Sequence, residues 1–304
     1  MRIKAAYEAL CGVPGAVVAC DAPLSRITSY RIGGPADLAV TVDTYQALLR
    51  TVRILRQECV PWVILGKGTN VLAADEGYRG CVIRLGREFS RMIVDGPLVT
   101  AGAAVMLAQL VNESLTRELS GLECCAGIPG TVGGALSMDA GSRHHWIGRC
   151  VRDVVTFDPR RAVMVRRQGN EVEWGYRRCS LPSGEIILEA TFELSPSTRA
   201  AVAAEMNRRM ARRRATQPTG RPCCGSVFKN PGDRSVGALL DSCGLKGTRV
   251  GGACISDKHA NFVLNEGGAT ARDVIACIGR MHDAVKERYG VELTPEVKFL
   301  GFEG

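Results

Sequence analysis

The segment Gly127-Ile128-Pro129-Gly130-Thr131-Val132-Gly133-Gly134 places four glycines in eight positions. A turn needs one or two, so this run asks for something else: backbone that another body approaches closely. The wider stretch from Gly121 to Gly141 holds six glycines around one proline. It follows Val105 to Leu119, where Leu107, Leu110, Val111 and Leu115 recur at helical spacing. After it come the strand-like segments Val151 to Phe157, Ala162 to Arg166 and Glu185 to Leu194. A second glycine loop, Gly66-Lys67-Gly68-Thr69-Asn70, ends the apolar stretch Trp62 to Leu65. It lacks the G-K-[ST] ending of a phosphate loop and does not read as G-x-G-x-x-G opening a helix, so alone it is equally a structural turn. Together, and with Asp139-Ala140-Gly141 extending the same surface, the two loops could clamp one long dinucleotide.

The rest of the chain reads as alternating helices and strands. Asp43 with Gln46 predicts a capped helix that runs through Leu48, Val52 and Leu55 to about Cys59. Short strands are expected at Cys81 to Leu85 and Leu98 to Ala101, and Ser195-Pro196 marks a boundary, with a domain junction near 197. An arginine-rich helix starts near Ser197, and a later helix is capped by Thr270 with Asp273 and carries Val274, Ile278, Met281 and Val285 on one face.

With 304 residues, of which 46% are hydrophobic and 23% charged, the chain has material for about two domains. No run of about 18 uncharged apolar residues and no signal-type stretch occurs, so a cytoplasmic protein is expected, with no membrane partner. The net charge of +8 suits anionic ligands. The run Arg208 to Arg214 reads as one solvated helix face, and no nucleic-acid motif accompanies it, so no nucleic acid is expected. The 13 cysteines are scattered and odd in number, without a C-x-x-C pair or histidine at ligand spacing. No metal site is expected, and most cysteines should be small buried apolar residues.

Three ordered motifs carry a resemblance: Tyr30-Arg31-Ile32-Gly33-Gly34-Pro35-Ala36-Asp37, the Leu65 to Asn70 loop and the Gly127 to Gly134 loop. They continue through Gly225-Ser226-Val227-Phe228-Lys229-Asn230-Pro231, Gly244-Leu245-Lys246-Gly247, Lys258-His259-Ala260-Asn261-Phe262 and Thr294-Pro295-Glu296-Val297. From about Tyr30 to Leu300 the chain resembles the UDP-N-acetylenolpyruvoylglucosamine reductases, in the shorter class without a tyrosine-bearing substrate loop. The resemblance implies an α+β fold: a two-lobed FAD-binding domain of the vanillyl-alcohol-oxidase type and a smaller C-terminal α+β substrate domain. Laid on the sequence, this predicts an arm at 1–20, FAD-binding lobes at about 21–95 and 96–197, and a substrate domain at 198–304.

It also implies the chemistry. NADPH reduces FAD, and a UDP-sugar enolpyruvyl ether then takes hydride from the flavin and a proton from the protein. Ser226 matches the proton donor, Arg177 the partner of the substrate carboxylate, and Glu296 an acid at that carboxylate, which must be protonated or hydrogen-bonded there. Gly66, Lys67, Gly68, Thr69 and Asn70 match one side of the FAD site. Ile128, Pro129, Gly130, Thr131, Gly133, Gly134, Ala140 and Gly141 match the other. Tyr176, Lys229, Asn230 and His259 match substrate contacts. A monomer is expected.

The chain departs from the family pattern at several places. Cys179 replaces the serine of the Y-R-x-S motif, and Arg178 adds a rival guanidinium. Asp139 stands where asparagine is more usual, Lys67 lies between the loop glycines, and Ser142 to Trp146 replaces a short alanine-tyrosine-glycine segment.

Overall fold

The structure, a computed structural model, describes residues 2–142 and 144–302. Its contacts divide the chain into two units. One comprises Met1–Cys20, Leu38–Gly66 and Gly80–Arg212, the other Asp21–Asp37, Lys67–Arg79 and Arg213–Gly304. The expected linear order is therefore interleaved: two short pieces of the N-terminal third join the C-terminal unit. The expected arm carries the helix Arg2–Cys11, and the helix Arg199–Thr216 begins just after the expected junction. That helix buries Val202 and Met206 in the first unit, which carries the division beyond residue 197.

The first unit holds two apolar cores, in keeping with two lobes. In one, the strand Pro35–Val42 buries every second residue, and its Leu38, Val40 and Val42 pack with Leu48, Val52 and Leu55 of the helix Tyr45–Gln57. Each such side chain contributes about 1.5–3 kcal/mol through burial. The helix begins one residue later than its sequence suggests. Thr44 is the cap, accepting the Ala47 N–H at 3.1 Å, while Asp43 accepts the N–H of Arg87 at 3.1 Å.

The other core lies against a five-stranded antiparallel sheet in the order Val163–Gln168, Val151–Asp158, Ile186–Glu193, Leu98–Gly102, Met92–Asp95. Leu107, Leu110 and Val111 of the helix Leu107–Thr116 pack on it with Val99, Val154 and Phe192. This sheet and helix fix the base on which the Gly127 to Gly134 loop stands.

In the second unit the strand Val71–Ala73 pairs in parallel with Lys298–Leu300, and a three-stranded antiparallel sheet runs Arg249–Val250, Ala253–Ile255, Val263–Asn265. The helix Ala271–Tyr289 covers the core with Val274, Ile278, Met281 and Val285. Thr270 and Asp273 form the expected reciprocal cap, and Gly290, at φ 64°, ends the helix in the left-handed region. Tyr30 is fully buried; its hydroxyl donates to the Val263 carbonyl at 2.8 Å, and Asn265 donates to the Tyr30 carbonyl at 3.0 Å.

The first of the three resembling motifs is thus a packing element. Gly33 has φ 120°, and a Cβ there would lie 2.6 Å from the Cβ of Ala73. Gly33→Ala is expected to cost about 2–4 kcal/mol, combining left-handed strain with overpacking. Urea unfolding measures it; a loss below about 1 kcal/mol would show that Ala73 yields freely.

Arg208 and Arg209 both hold Glu205, at 2.7 and 2.6 Å, and Arg208 foremost pulls that carboxylate down to about 2. Part of the arginine run therefore serves its own helix. Among the described residues no helix is long and apolar enough to cross a membrane, and no group of three or more His, Cys, Asp or Glu is placed to hold a metal ion. All 13 cysteines lie among the described residues and none is in a disulfide; Cys81, Cys125, Cys224, Cys254 and Cys277 are buried, and Cys11, Cys20 and Cys59 are exposed. The expectation of mostly buried thiols is corrected accordingly: the exposed three stand in the first 60 residues, on outer faces of the first unit.

Candidate active site

The glycine loop of the first unit is pinned from below. The N–H groups of Val132 and Gly133 donate to the carbonyls of Val105 and Ala103 at 2.9 Å each, and Gly130 accepts from Leu107 at 3.0 Å. A Cβ on Gly133 would stand 2.8 Å from the Cβ of Ala103, so this glycine lets two backbones meet. Thr131 caps the short helix Val132–Ser137 by accepting the Gly134 N–H at 3.4 Å. Gly66 comes against the same threonine, its imagined Cβ 2.7 Å from Thr131 Oγ1, so the ends of the two glycine loops adjoin within this unit.

Gly127 and Gly134 are exposed, and a Cβ on Gly134 would meet only Thr131 Oγ1, at 3.6 Å. Here the backbone can receive a flat or pyrophosphate-bearing group from outside. Within the first unit the exposed glycine backbone beside Ile128 and Pro129 fits such a group, and in the second unit the ammonium of Lys67 is exposed. Gly141 is different: at φ 155° its Cβ would stand 2.3 Å from the His145 carbonyl, and the residues Ser142 and Trp146 fold back on it. Arg143, in that unusual segment, lies outside the described residues. Ala140 holds the base of this turn, accepting the Ile147 N–H at 2.9 Å.

Arg177 occupies a β-turn. The strands Trp174–Gly175 and Arg178–Cys179 pair antiparallel, with Gly175 opposite Arg178, so Tyr176 and Arg177 form the two-residue bend. Arg177 takes φ 59°, a left-handed conformation that costs a non-glycine residue of order 1 kcal/mol or more. Both terminal nitrogens of its guanidinium donate to the Gly141 carbonyl, at 3.3 and 3.4 Å, and the guanidinium carbon stands 5.2 Å from the Tyr176 ring centroid. The neighbouring Arg178 turns to Glu173 at 3.8 Å on the exposed surface. Cys179 donates weakly to the Ser137 carbonyl at 3.8 Å.

Asp139 lies beneath this turn. It is 1% exposed, has φ 42°, and accepts the Gly148 N–H with Oδ1 at 2.9 Å. Its Oδ2 is buried without a hydrogen-bond partner. Burial pushes the carboxyl up to about 6, against the opposing pull of the Gly148 N–H and the Arg177 charge.

In the second unit the Ser226 and Glu296 segments run side by side. The Val227 carbonyl accepts the Glu296 N–H at 2.7 Å, Phe228 bridges Pro295, and Lys229 donates to the Thr294 carbonyl at 2.9 Å. Gly225, at φ 84°, turns the chain just before the serine. Both Ser226 and Glu296 are half-buried. Asn70, expected only at the cofactor, donates through Nδ2 to the Glu296 carbonyl at 2.9 Å, and its own carbonyl accepts from Lys298. The glycine loop's end is thereby tied to the segment that carries the carboxyl group. Gly68, at φ 58°, packs against Thr28, and its carbonyl accepts from Ser29. Thr69 lies half-buried between these anchored neighbours.

Asn261 is the residue whose role sequence reasoning missed. Its Oδ1 accepts the Phe228 N–H at 3.0 Å, its Nδ2 donates to the Phe228 carbonyl at 2.9 Å, and its carbonyl accepts the Val227 N–H at 2.9 Å. Being 2% exposed, it grips the segment that carries Ser226 on both sides of one residue. The signal was present: a lone amide among apolar neighbours in Ala260-Asn261-Phe262-Val263. His259 Nδ1 accepts the Asn261 N–H at 3.2 Å, and burial, then the Lys246 charge, lowers its pKa, so the ring is neutral with its proton on Nε2. Asn230 accepts the Val236 N–H at 3.0 Å, and the Lys229 side chain is half-buried.

Comparison with known proteins agrees along the chain. The model of an FAD binding domain matches residues 36–158, and that of the UDP-N-acetylenolpyruvoylglucosamine reductase C-terminal domain matches 217–300. A relative from Symbiobacterium thermophilum, UDP-N-acetylenolpyruvoylglucosamine reductase 2, is 44% identical over 92% of this chain and 91% of its own. The reductase of Geobacter metallireducens is 41% identical over 93% of this chain and 94% of its own. The crystal structure of the reductase from Thermus caldophilus superposes with a TM-score of 0.81 at 34% identity, covering 94% of this chain and 98% of that one.

Proposed function

The chain belongs to the UDP-N-acetylenolpyruvoylglucosamine reductase family, FAD-dependent oxidoreductases of peptidoglycan synthesis, and from that premise we propose that Ser226, Arg177 and Glu296 serve its reaction. The family's reaction reduces the enolpyruvyl group of a UDP-sugar to the lactyl ether of UDP-N-acetylmuramate. Bound FAD supplies the hydride, received from NADPH. The residues proposed to hold it are those that match the family's flavin loops: Ile128, Pro129, Thr131 and Gly134, and Lys67, Thr69 and Asn70.

The rest falls to side chains. When hydride reaches the terminal alkene carbon, negative charge moves onto the adjacent carbon and its carboxylate. Ser226 Oγ–H gives that carbon its proton; a hydroxyl suffices because an enolate carbon is strongly basic. The guanidinium of Arg177, planar and always charged, pairs with the carboxylate and offsets the growing charge. Glu296 in its acid form donates to the same oxygens, for as a carboxylate it would repel them. Lys229, Asn230, Tyr176 and neutral His259 hold the sugar and diphosphate. The observation that carries this reading is the backbone pairing of the Ser226 and Glu296 segments, because it holds a proton donor and an acid on neighbouring segments with little freedom. A cytoplasmic enzyme is the corresponding location, where both nucleotides are made.

The test is spectroscopic. Under anaerobic conditions NADPH should bleach the flavin band, and the enolpyruvyl sugar nucleotide should restore it. Return of the colour with oxygen alone, while the sugar nucleotide leaves the bleached protein unchanged, would refute the reading.

A further inference from the structure

We propose that Asp139 is a positioning residue for Arg177, taking up one proton when the carboxylate of the sugar nucleotide arrives at that guanidinium. This rests on the reading that Arg177 receives the carboxylate. The geometry is one of a shared charge. Gly141, two residues after Asp139, accepts both terminal nitrogens of Arg177 at 3.3 and 3.4 Å. Asp139 itself is fixed by the Gly148 N–H at 2.9 Å, and its second oxygen is buried with no hydrogen-bond partner.

The groups whose charge Asp139 feels, or which feel its charge, are Arg177, Cys125 and Cys179. Both thiols are held above their ordinary range, Cys125 by its Cys124 neighbour and then burial, Cys179 chiefly by burial. They stay neutral at working pH, so neither offsets a carboxylate. Arg177 is the positive charge acting on Asp139.

A substrate carboxylate changes this balance in two ways. It engages the same guanidinium, weakening what Asp139 gains from it, and it brings a like charge close by. Asp139 already stands near 6 in the free protein, so a modest further rise makes it neutral at pH 7. Binding then draws a proton from solution, and by linkage affinity strengthens as pH falls from about 7.5 toward 6. The amide more usual at this position in the family would be neutral at every pH and keep the same acceptor for Gly148.

Calorimetric binding of the enolpyruvyl sugar nucleotide to the oxidised FAD-loaded protein, without NADPH and in buffers of different ionisation enthalpy, counts the protons. At pH 7 the wild type should take up about half a proton or more beyond Asp139→Asn. Its affinity should fall about tenfold from pH 6 to 7.5 relative to that variant. His259 and the diphosphate titrate alike in both proteins and cancel in the difference. Equal uptake in wild type and Asp139→Asn, with Arg177→Met binding weakly, would overturn this inference alone. Arg177→Met binding as tightly as wild type would overturn it together with the reading beneath it.

Infrared difference spectra give a check that does not need the Asp139 variant to fold. In Glu296→Gln, ligand binding should produce a protonated-carboxyl band; its absence overturns the proposal.

Discussion

Ser226→Ala is expected to leave reduction of the flavin by NADPH within about twofold of wild type while slowing reoxidation by the sugar nucleotide by roughly 10²–10⁴-fold. Only the second half-reaction needs a proton at carbon. The hydroxyl stands on a segment held by the Val227 and Asn261 hydrogen bonds, so its loss should not unseat that segment. Stopped-flow absorbance of the flavin, followed separately for each half, reads both rates. Comparable slowing of both halves would mean that the serine supports the cofactor and not the proton transfer. Cysteine at 226 offers a further reading, since a more acidic donor in the same place should restore part of the rate if proton delivery is what was lost.

Asn261→Ala is expected to damage the second unit strongly. It leaves the N–H and carbonyl of Phe228, which is 2% exposed, without partners in a place that water reaches poorly. Each orphaned group costs about 1–3 kcal/mol, so a loss of about 2–5 kcal/mol is expected in urea unfolding. The surviving folded fraction should show a lowered kcat for reoxidation, because the Phe228–Pro295 pairing that aligns Ser226 with Glu296 is no longer clamped from its other side. Asn261→Asp tests the arrangement from one direction: it retains the acceptor for the Phe228 N–H and loses the donor to the carbonyl. It should therefore be destabilised as well, and recover when acidification protonates the carboxyl. A stability change below about 1 kcal/mol in the alanine variant would show that the clamp contributes little.

Much of this molecule could be read from its sequence where periodicity or capping chemistry acts locally. The stripe of Val274, Ile278, Met281 and Val285 and the Thr270–Asp273 cap appear as expected, because both depend on neighbours within one or two turns. The cap at Thr44 was misplaced by one residue since Asp43 had a distant alternative, the N–H of Arg87. The glycine loops were legible as loops, but the use of each glycine was not. Gly133 and Gly141 avoid collisions with Ala103 and His145, whereas Gly134 faces outward, and only tertiary structure distinguishes these. Arg177 was recognisable from its motif, yet its left-handed turn was hidden because arginine gives no hint of such a backbone. Asn261 escaped notice as a clamp for a similar reason: its partners stand 33 residues away.

The pairing of Val71–Ala73 with Lys298–Leu300 has a consequence for biosynthesis. A strand translated early must wait for one translated more than 200 residues later, and until then its edge is open. The stretch Gly80–Arg212 can meanwhile assemble its own antiparallel sheet on the ribosome. Maturation should accordingly proceed in two stages, with nascent chains arrested before residue 298 protease-resistant between 80 and 212 and cleavable around 71.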